Sequence, residues 1–116
     1  LKLEARRLGP VSVVELQGSL SVGSDCQTLL ELLHREIEAG RTRVVFDLHA
    51  LRFVDSAGLG QFVALSRLLA DLGGRLAVAE ARGKVKDILD LTRLDQLLVV
   101  YPSLDQAVAS FGDSPD

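Results

Sequence analysis

Apolar and polar positions alternate at Leu1, Leu3 and Ala5, the period of a half-buried strand. Gly9-Pro10 then supplies turn chemistry. Val11 to Leu16 is rich in β-branched residues and predicts a second strand, which Gly18 ends. So short a connection makes the two strands antiparallel neighbours. From Ser24 the period becomes helical. Cys26, Leu29, Leu30, Leu33 and Ile37 share one face, while Glu31, His34, Arg35 and Glu38 share the other. Ser24-x-x-Gln27 is a capping box that opens this helix, and Gly40 stands where a left-handed stop is wanted.

The run Val44-Val45-Phe46-Asp47-Leu48 is almost continuously apolar and predicts a central strand. A second helix carries Leu59, Phe62, Val63, Ser66, Leu69 and Leu72 near one face and ends at Gly73-Gly74. A fourth strand is predicted over 75–80, with Leu76 and Val78 on one side. Val85, Ile88 and Leu89 mark a short third helix. Leu97 to Val100 is a fifth strand, broken by Pro102. Ser103-x-x-Gln106 caps a last helix whose inner stripe is Leu104, Ala107, Val108 and Phe111. Strands joined through helices of this length need parallel crossovers. The 116 residues suit a single core, with one domain over 1–111 and a frayed tail over 112–116.

His49-Ala50-Leu51-Arg52 bridges the central strand to Phe53-Val54-Asp55-Ser56-Ala57-Gly58-Leu59-Gly60, the stretch around which the chain is organised. Asp55 and Ser56 fall where a strand hands over to a helix, and either side chain can cap that helix. Gly58 and Gly60 are poor helix residues, so two in one first turn predict a close approach to the backbone. A helix N-terminus carries free N–H groups and partial positive charge. A serine hydroxyl there can carry a phosphate whose charge is partly compensated. The same Asp-Ser pair also serves as a plain cap.

Composition narrows the chemistry. The net charge is −3 and there is no tryptophan, which argues against nucleic acid and against insertion in an anionic membrane surface. No apolar run reaches transmembrane length. The lone cysteine, Cys26, rules out an internal disulfide and fits a reducing, cytoplasmic setting; it reads as a small apolar helix residue. Ser56 does not sit in a nucleophile elbow, because position 54 is valine rather than glycine. Only His34 and His49 are available as relay bases, so no enzyme is expected. Neither dinucleotide nor Walker glycine patterns occur. Cys26, His34 and His49 lack metal-ligand spacing and the carboxylates look dispersed, so neither metal nor cofactor is expected. Asp47 interrupts the central strand with no role legible in the pattern. Arg82-Gly83-Lys84 reads as a solvated basic turn.

The stretch from Phe53 to Gly60 resembles the signature of STAS domains, the sulfate-transporter and anti-sigma-factor-antagonist family. Val85-Lys86-Asp87-Ile88-Leu89-Asp90-Leu91-Thr92-Arg93-Leu94 is similar to the family's third helix and following turn, and Leu16-Gln17-Gly18-Ser19-Leu20-Ser21 to the end of its second strand. The resemblance implies an α/β fold: a mixed sheet with an antiparallel N-terminal pair and helices mainly on one face, in agreement with the element order. It implies an anti-sigma factor antagonist that binds an anti-sigma serine kinase, is phosphorylated on Ser56 and is reset by a serine phosphatase. Ser19, Ser21, Asp55, Ser56, Ala57, Gly58, Leu59 and Gly60 would form the partner surface. Two positions depart from the family pattern. Ser21 stands where antagonists usually carry an acid, and Arg93 where they usually carry glycine, which reads as a different turn geometry. The Ser21 departure keeps a second function open: a STAS subunit that is never phosphorylated, in a signalling scaffold or a lipid-transport ATPase complex.

Overall fold

Strand β2 (Val11–Leu20) is the longest in the sheet and pairs with three other strands. In the computed structural model, which describes residues 1–112 apart from the Asp95 side chain, β1 (Lys2–Leu8) runs antiparallel along one edge of β2. The other edge of β2 serves two strands in tandem. Ser12–Glu15 pairs in parallel with β3 (Arg43–Asp47). Beyond a register shift at Gly18/Ser19, Ser19 and Leu20 pair in parallel with β4 (Leu51–Val54). Strands β5 (Arg75–Ala79) and β6 (Val99–Tyr101) extend the parallel part beyond β3. This is the expected α/β architecture, with six strands instead of five. The tail expected over 112–116 falls, past Gly112, outside the described residues.

Three helices, α1 (Ser24–Glu38), α2 (Ser56–Asp71) and α3 (Gly83–Leu91), cover one face of the sheet. Leu29, Leu33, Phe62, Leu65, Leu69, Val85 and Leu89 bury there against Val14, Leu16, Val44, Phe46, Leu76 and Val78. The Phe46 and Phe62 rings lie 5.6 Å apart in a tilted pair. The short α4 (Leu104–Ala109) covers the opposite face, where Ala107 packs with Val11, Val13, Val45, Ala77 and Ala79. Period-two alternation thus feeds two apolar layers from the same strands.

Several sequence expectations are corrected. The segment assigned as a bridge, His49 to Arg52, contains the start of β4; its four residues are too few for a period to show. Gly18 does not end β2. It takes φ +92° at the shift that lets one strand pair with two successive partners. The Ser24 capping box does not form: Gly23 is the N-cap of α1, without a side-chain cap. Ser103 does cap α4, accepting from the Gln106 amide at 3.1 Å. On α2 the inner stripe takes Leu65 and leaves Leu72 49% exposed, because the helix ends just before Leu72. Strand β1 is exposed along most of its length as a sheet edge. Leu97 lies outside β6 and is exposed, after a 3₁₀ turn over Leu94–Gln96. Arg93 adopts the left-handed conformation at φ +58°, so the glycine-favouring turn is kept with an arginine in it.

Candidate functional site

The connection from β4 to α2 is built around Asp55. Its extended backbone (φ −93°, ψ −178°) makes it the N-cap of α2. Oδ1 accepts from the Gly58 amide at 2.9 Å, and Oδ2 accepts from the Val22 amide at 2.9 Å. The Asp55 amide in turn donates to the Leu20 carbonyl at 3.2 Å. One residue therefore joins the start of α2 to the end of β2 and to the loop before α1. The amide of Gly58, then that of Val22, holds the Asp55 carboxyl below the usual carboxylate range.

Ser56 is the first residue of α2 and is exposed, as is Gly60; Ala57 is half-buried. A Cβ at Gly60 would meet nothing within 4 Å. Gly58 and Leu59 are buried. A Cβ on Gly58 would lie 2.6 Å from Val54 Cγ2 and 2.9 Å from Leu20 Cγ. The close approach that the glycines predicted is thus an internal one at Gly58, where α2 presses on β2 and β4. Ser19 and Ser21 are half-buried at the end of β2. The Ser21 amide donates to Asp25 Oδ2 at 3.0 Å, placing an acid from α1 beside the position where the family pattern has its own. Gln61 Nε2 donates to the Cys26 carbonyl at 2.6 Å and ties α2 to α1. Burial first, then the charges of Asp55 and Asp25, pushes the Cys26 thiol pKa up, which disfavours the thiolate.

Two exposed apolar side chains adjoin Ser56 through the chain or through Asp55: Phe53 at 43% and Val22 at 73% exposure. Phe53 opens the signature but was not assigned to the partner surface. Val22 sits in a loop with no period and carries no sequence signal at all.

A second group of polar residues lies where β3 ends. The parallel register sets Glu15 opposite Asp47, and His49 follows two residues later. His49 Nδ1 lies 2.8 Å from Asp47 Oδ1, and Nε2 lies 3.6 Å from Glu15 Oε1. Asp47 is buried, and its Oδ1 also accepts from the His49 amide at 3.1 Å. That is the role the sequence pattern did not reveal: Asp47 orders the turn into β4. Glu15, Asp47 and His49 each bring one donor atom within 4.8 Å of the others. They are the residues that could hold a cation, which corrects the expectation of dispersed carboxylates. The imidazole lies between the two carboxylates, and Glu15 Oε1 also accepts from Gln17 Nε2 at 2.9 Å. Asp47 pushes the His49 pKa above its ordinary value, mainly through the hydrogen bond to the ring.

A family model described as the STAS domain matches residues 2–107. The anti-sigma F factor antagonist of Paenibacillus polymyxa is 26% identical over 101 residues, spanning 87% of this chain and 86% of that protein. The crystal structure of an anti-sigma factor antagonist from Mycobacterium paratuberculosis superposes with a TM-score of 0.74 at 29% identity, covering 94% of this chain and 92% of that one. The fold is also that of the Bacillus cell fate determinant SpoIIAA in its phosphorylated form, with a TM-score of 0.70 at 17% identity over 95% of this chain and 99% of that one.

Proposed function

Because the chain belongs to the STAS domain family, we propose that it is a cytoplasmic anti-sigma factor antagonist, switched by phosphate on Ser56. It is a binding module rather than an enzyme. Unphosphorylated, it engages an anti-sigma serine kinase and so frees the sigma factor. The kinase transfers the γ-phosphoryl group of its own ATP to Ser56 Oγ, the bond to the β,γ-bridging oxygen breaks to release ADP, and the hydroxyl proton leaves to a base of the kinase. A serine phosphatase then returns the serine. The observation that carries this reading is the placement of Ser56: exposed, on the first turn of α2, directly after a cap whose hydrogen bonds are made by Asp55. Asp55 meets the helix's need for a cap, so the Ser56 hydroxyl is spared for chemistry.

Phosphorylation adds about −1.5 to −2 charges at pH 7. The positive end of α2 tolerates a new anion, while Asp55 beside it adds to the repulsion felt by an acidic partner. The effect is local: affinity falls and the fold persists. Val22, Phe53 and Gly60 supply the exposed apolar and small groups around Ser56 that bury on association. Ser21, in place of the family's usual acid, favours the second reading, an unphosphorylated STAS subunit of a scaffold or lipid-transport complex.

The test is incubation with the cognate kinase, ATP and Mg²⁺, followed by mass spectrometry and a binding titration. A single phosphate on Ser56, weaker binding of the modified form, and a Ser56→Ala variant that binds but is not released are expected. An unmodified Ser56, or equal binding of both forms, leaves the second reading in its place.

A further inference from the structure

Three cavities at the pole where β3 and β5 begin merge into one groove. The first, of about 240 Å³, includes Arg6, Arg7 and Arg41. It shares Arg7 and Arg41 with the second, of about 340 Å³. The second shares Arg43 and Gly73 with the third, of about 310 Å³, which Arg75 also lines. Among the described residues, five arginines and one acidic residue, Glu36, line the groove. Arg41 takes the Glu36 carboxylate in two parallel hydrogen bonds, Nε to Oε1 at 3.0 Å and Nη2 to Oε2 at 2.9 Å. A chain of net charge −3 with 13 Lys and Arg thus gathers five arginines in one place.

Helix ends do not account for this. α1, α2 and α4 all finish near this pole, and a helix C-terminus carries the equivalent of roughly −0.5 charge. Three such ends are offset by fewer than two cations. The acidic residues at the ends of α1 and α2, Glu38 and Asp71, line none of the three cavities. The arginines have partners within the fold: Arg7 donates to the Gly9 carbonyl at 3.4 Å, and Arg75 donates to Ser110 Oγ at 2.8 Å and lies over the Phe111 ring at 4.1 Å. A guanidinium has five N–H donors, so these contacts orient the forks and leave donors over.

We propose that this groove docks an extended acidic segment of a protein partner, its carboxylates received by Arg7 and Arg75. Planar guanidinium forks match carboxylates in paired hydrogen bonds, which lysine does not do. The continuity of the three cavities suits an extended chain better than a compact ligand. Nucleic acid fits poorly: the aromatic ring that lines the groove among the described residues, Phe111, is already covered by Arg75 and is not open to stack on a base. Arg43 and Arg75 open parallel strands, whereas Ser56 follows the far end of β4. The groove and Ser56 therefore lie at opposite poles, and occupancy of one leaves the other free.

The experiment is fluorescence anisotropy of the whole chain with a fluorescein-labelled hexaglutamate peptide at low ionic strength. Saturable binding that weakens with added salt is expected. A loss of about tenfold or more is expected in Arg43→Glu/Arg75→Glu and in the exposed pair Arg6→Glu/Arg7→Glu. Lys84→Glu/Lys86→Glu, with the same change in charge on α3, should bind as the unaltered chain does. Circular dichroism checks that each variant is folded, and the exposed Arg6/Arg7 pair keeps the test open if the other variant is not. Peptide binding weaker than about 1 mM, equal losses in the α3 variant, or tighter binding of a hexathymidylate oligonucleotide than of the peptide would each overturn the proposal.

Discussion

The Asp55 carboxylate takes the backbone amide of Val22 at 2.9 Å across 33 positions of sequence, and it is the same carboxylate that caps α2. The loop before α1 is therefore held by the residue that precedes Ser56. Asp55→Asn keeps an acceptor for one amide and turns a donor toward the other. The expected result is retained α2 helicity with faster hydrogen exchange at Val22, read by NMR. Asp55→Ala should loosen both amides. The depressed pKa of Asp55 sets the pH dependence. This contribution is present above the unfolded value near 4 and is lost as pH falls through the lower folded pKa. Val22 and Gly58 amide shifts should move together in that acid range and stay flat above it.

Gly58 and Gly60 look alike in the sequence and should respond in opposite directions. Gly58→Ala forces a methyl into Val54 and Leu20 and should cost about 1–3 kcal/mol. Gly60→Ala enters open space and should gain up to about 1 kcal/mol from helix propensity. Urea unfolding of both variants checks this. A bulky residue at Gly60 should weaken partner binding while the denaturation midpoint stays near that of the parent.

The ring of His49 lies between Asp47 and Glu15, with Arg82 acting weakly against its charge. Its pKa is raised, so the charged ring stabilises the fold fully below the unfolded value of about 6.5. That stabilisation is lost as pH rises through the higher folded pKa. Thermal midpoints of the parent chain and of His49→Ala should accordingly converge as pH rises through this window. Parallel curves would show that the ring serves packing alone.

Arg93 holds a left-handed backbone at φ +58°, which costs an ordinary residue roughly 1–2 kcal/mol. Arg93→Gly should relieve this, less the extra freedom that glycine gives the unfolded chain. A net gain below about 1 kcal/mol, seen as a higher denaturation midpoint with unchanged slope, is expected.

Where the hydrophobic period was long, the sequence disclosed the element. The stripe of α1, the run from Val44 to Leu48 and the cap at Ser103 were all legible, because each is decided by neighbours along the chain. The Ser24 box fails although it is local, because Gly23 takes the N-cap; the other failures arise from short or non-local pairing. β4 is too short for a period, and Gly18 needed the knowledge that β2 changes partners there. Asp47 made sense only once the register set it opposite Glu15. At the site, the strand-to-helix handover at Asp55 and Ser56 was visible as capping chemistry. Val22 was not, since its place depends on a hydrogen bond from 33 residues away.

Among the described residues β4 pairs with β2 alone, and it is four residues long. Its backbone ladder therefore has one rail, whereas β3 lies between β2 and β5 with a rail on either side. Opening β4 breaks fewer ladder hydrogen bonds than opening β3 does, and it uncovers Leu51 and Val54. The free energy of that local opening lies below that of global unfolding. The end of the molecule that presents Ser56 is the compliant end. Under the proposed function, a partner that engages Ser56 would meet this less firmly paired end rather than the five strands of the remainder.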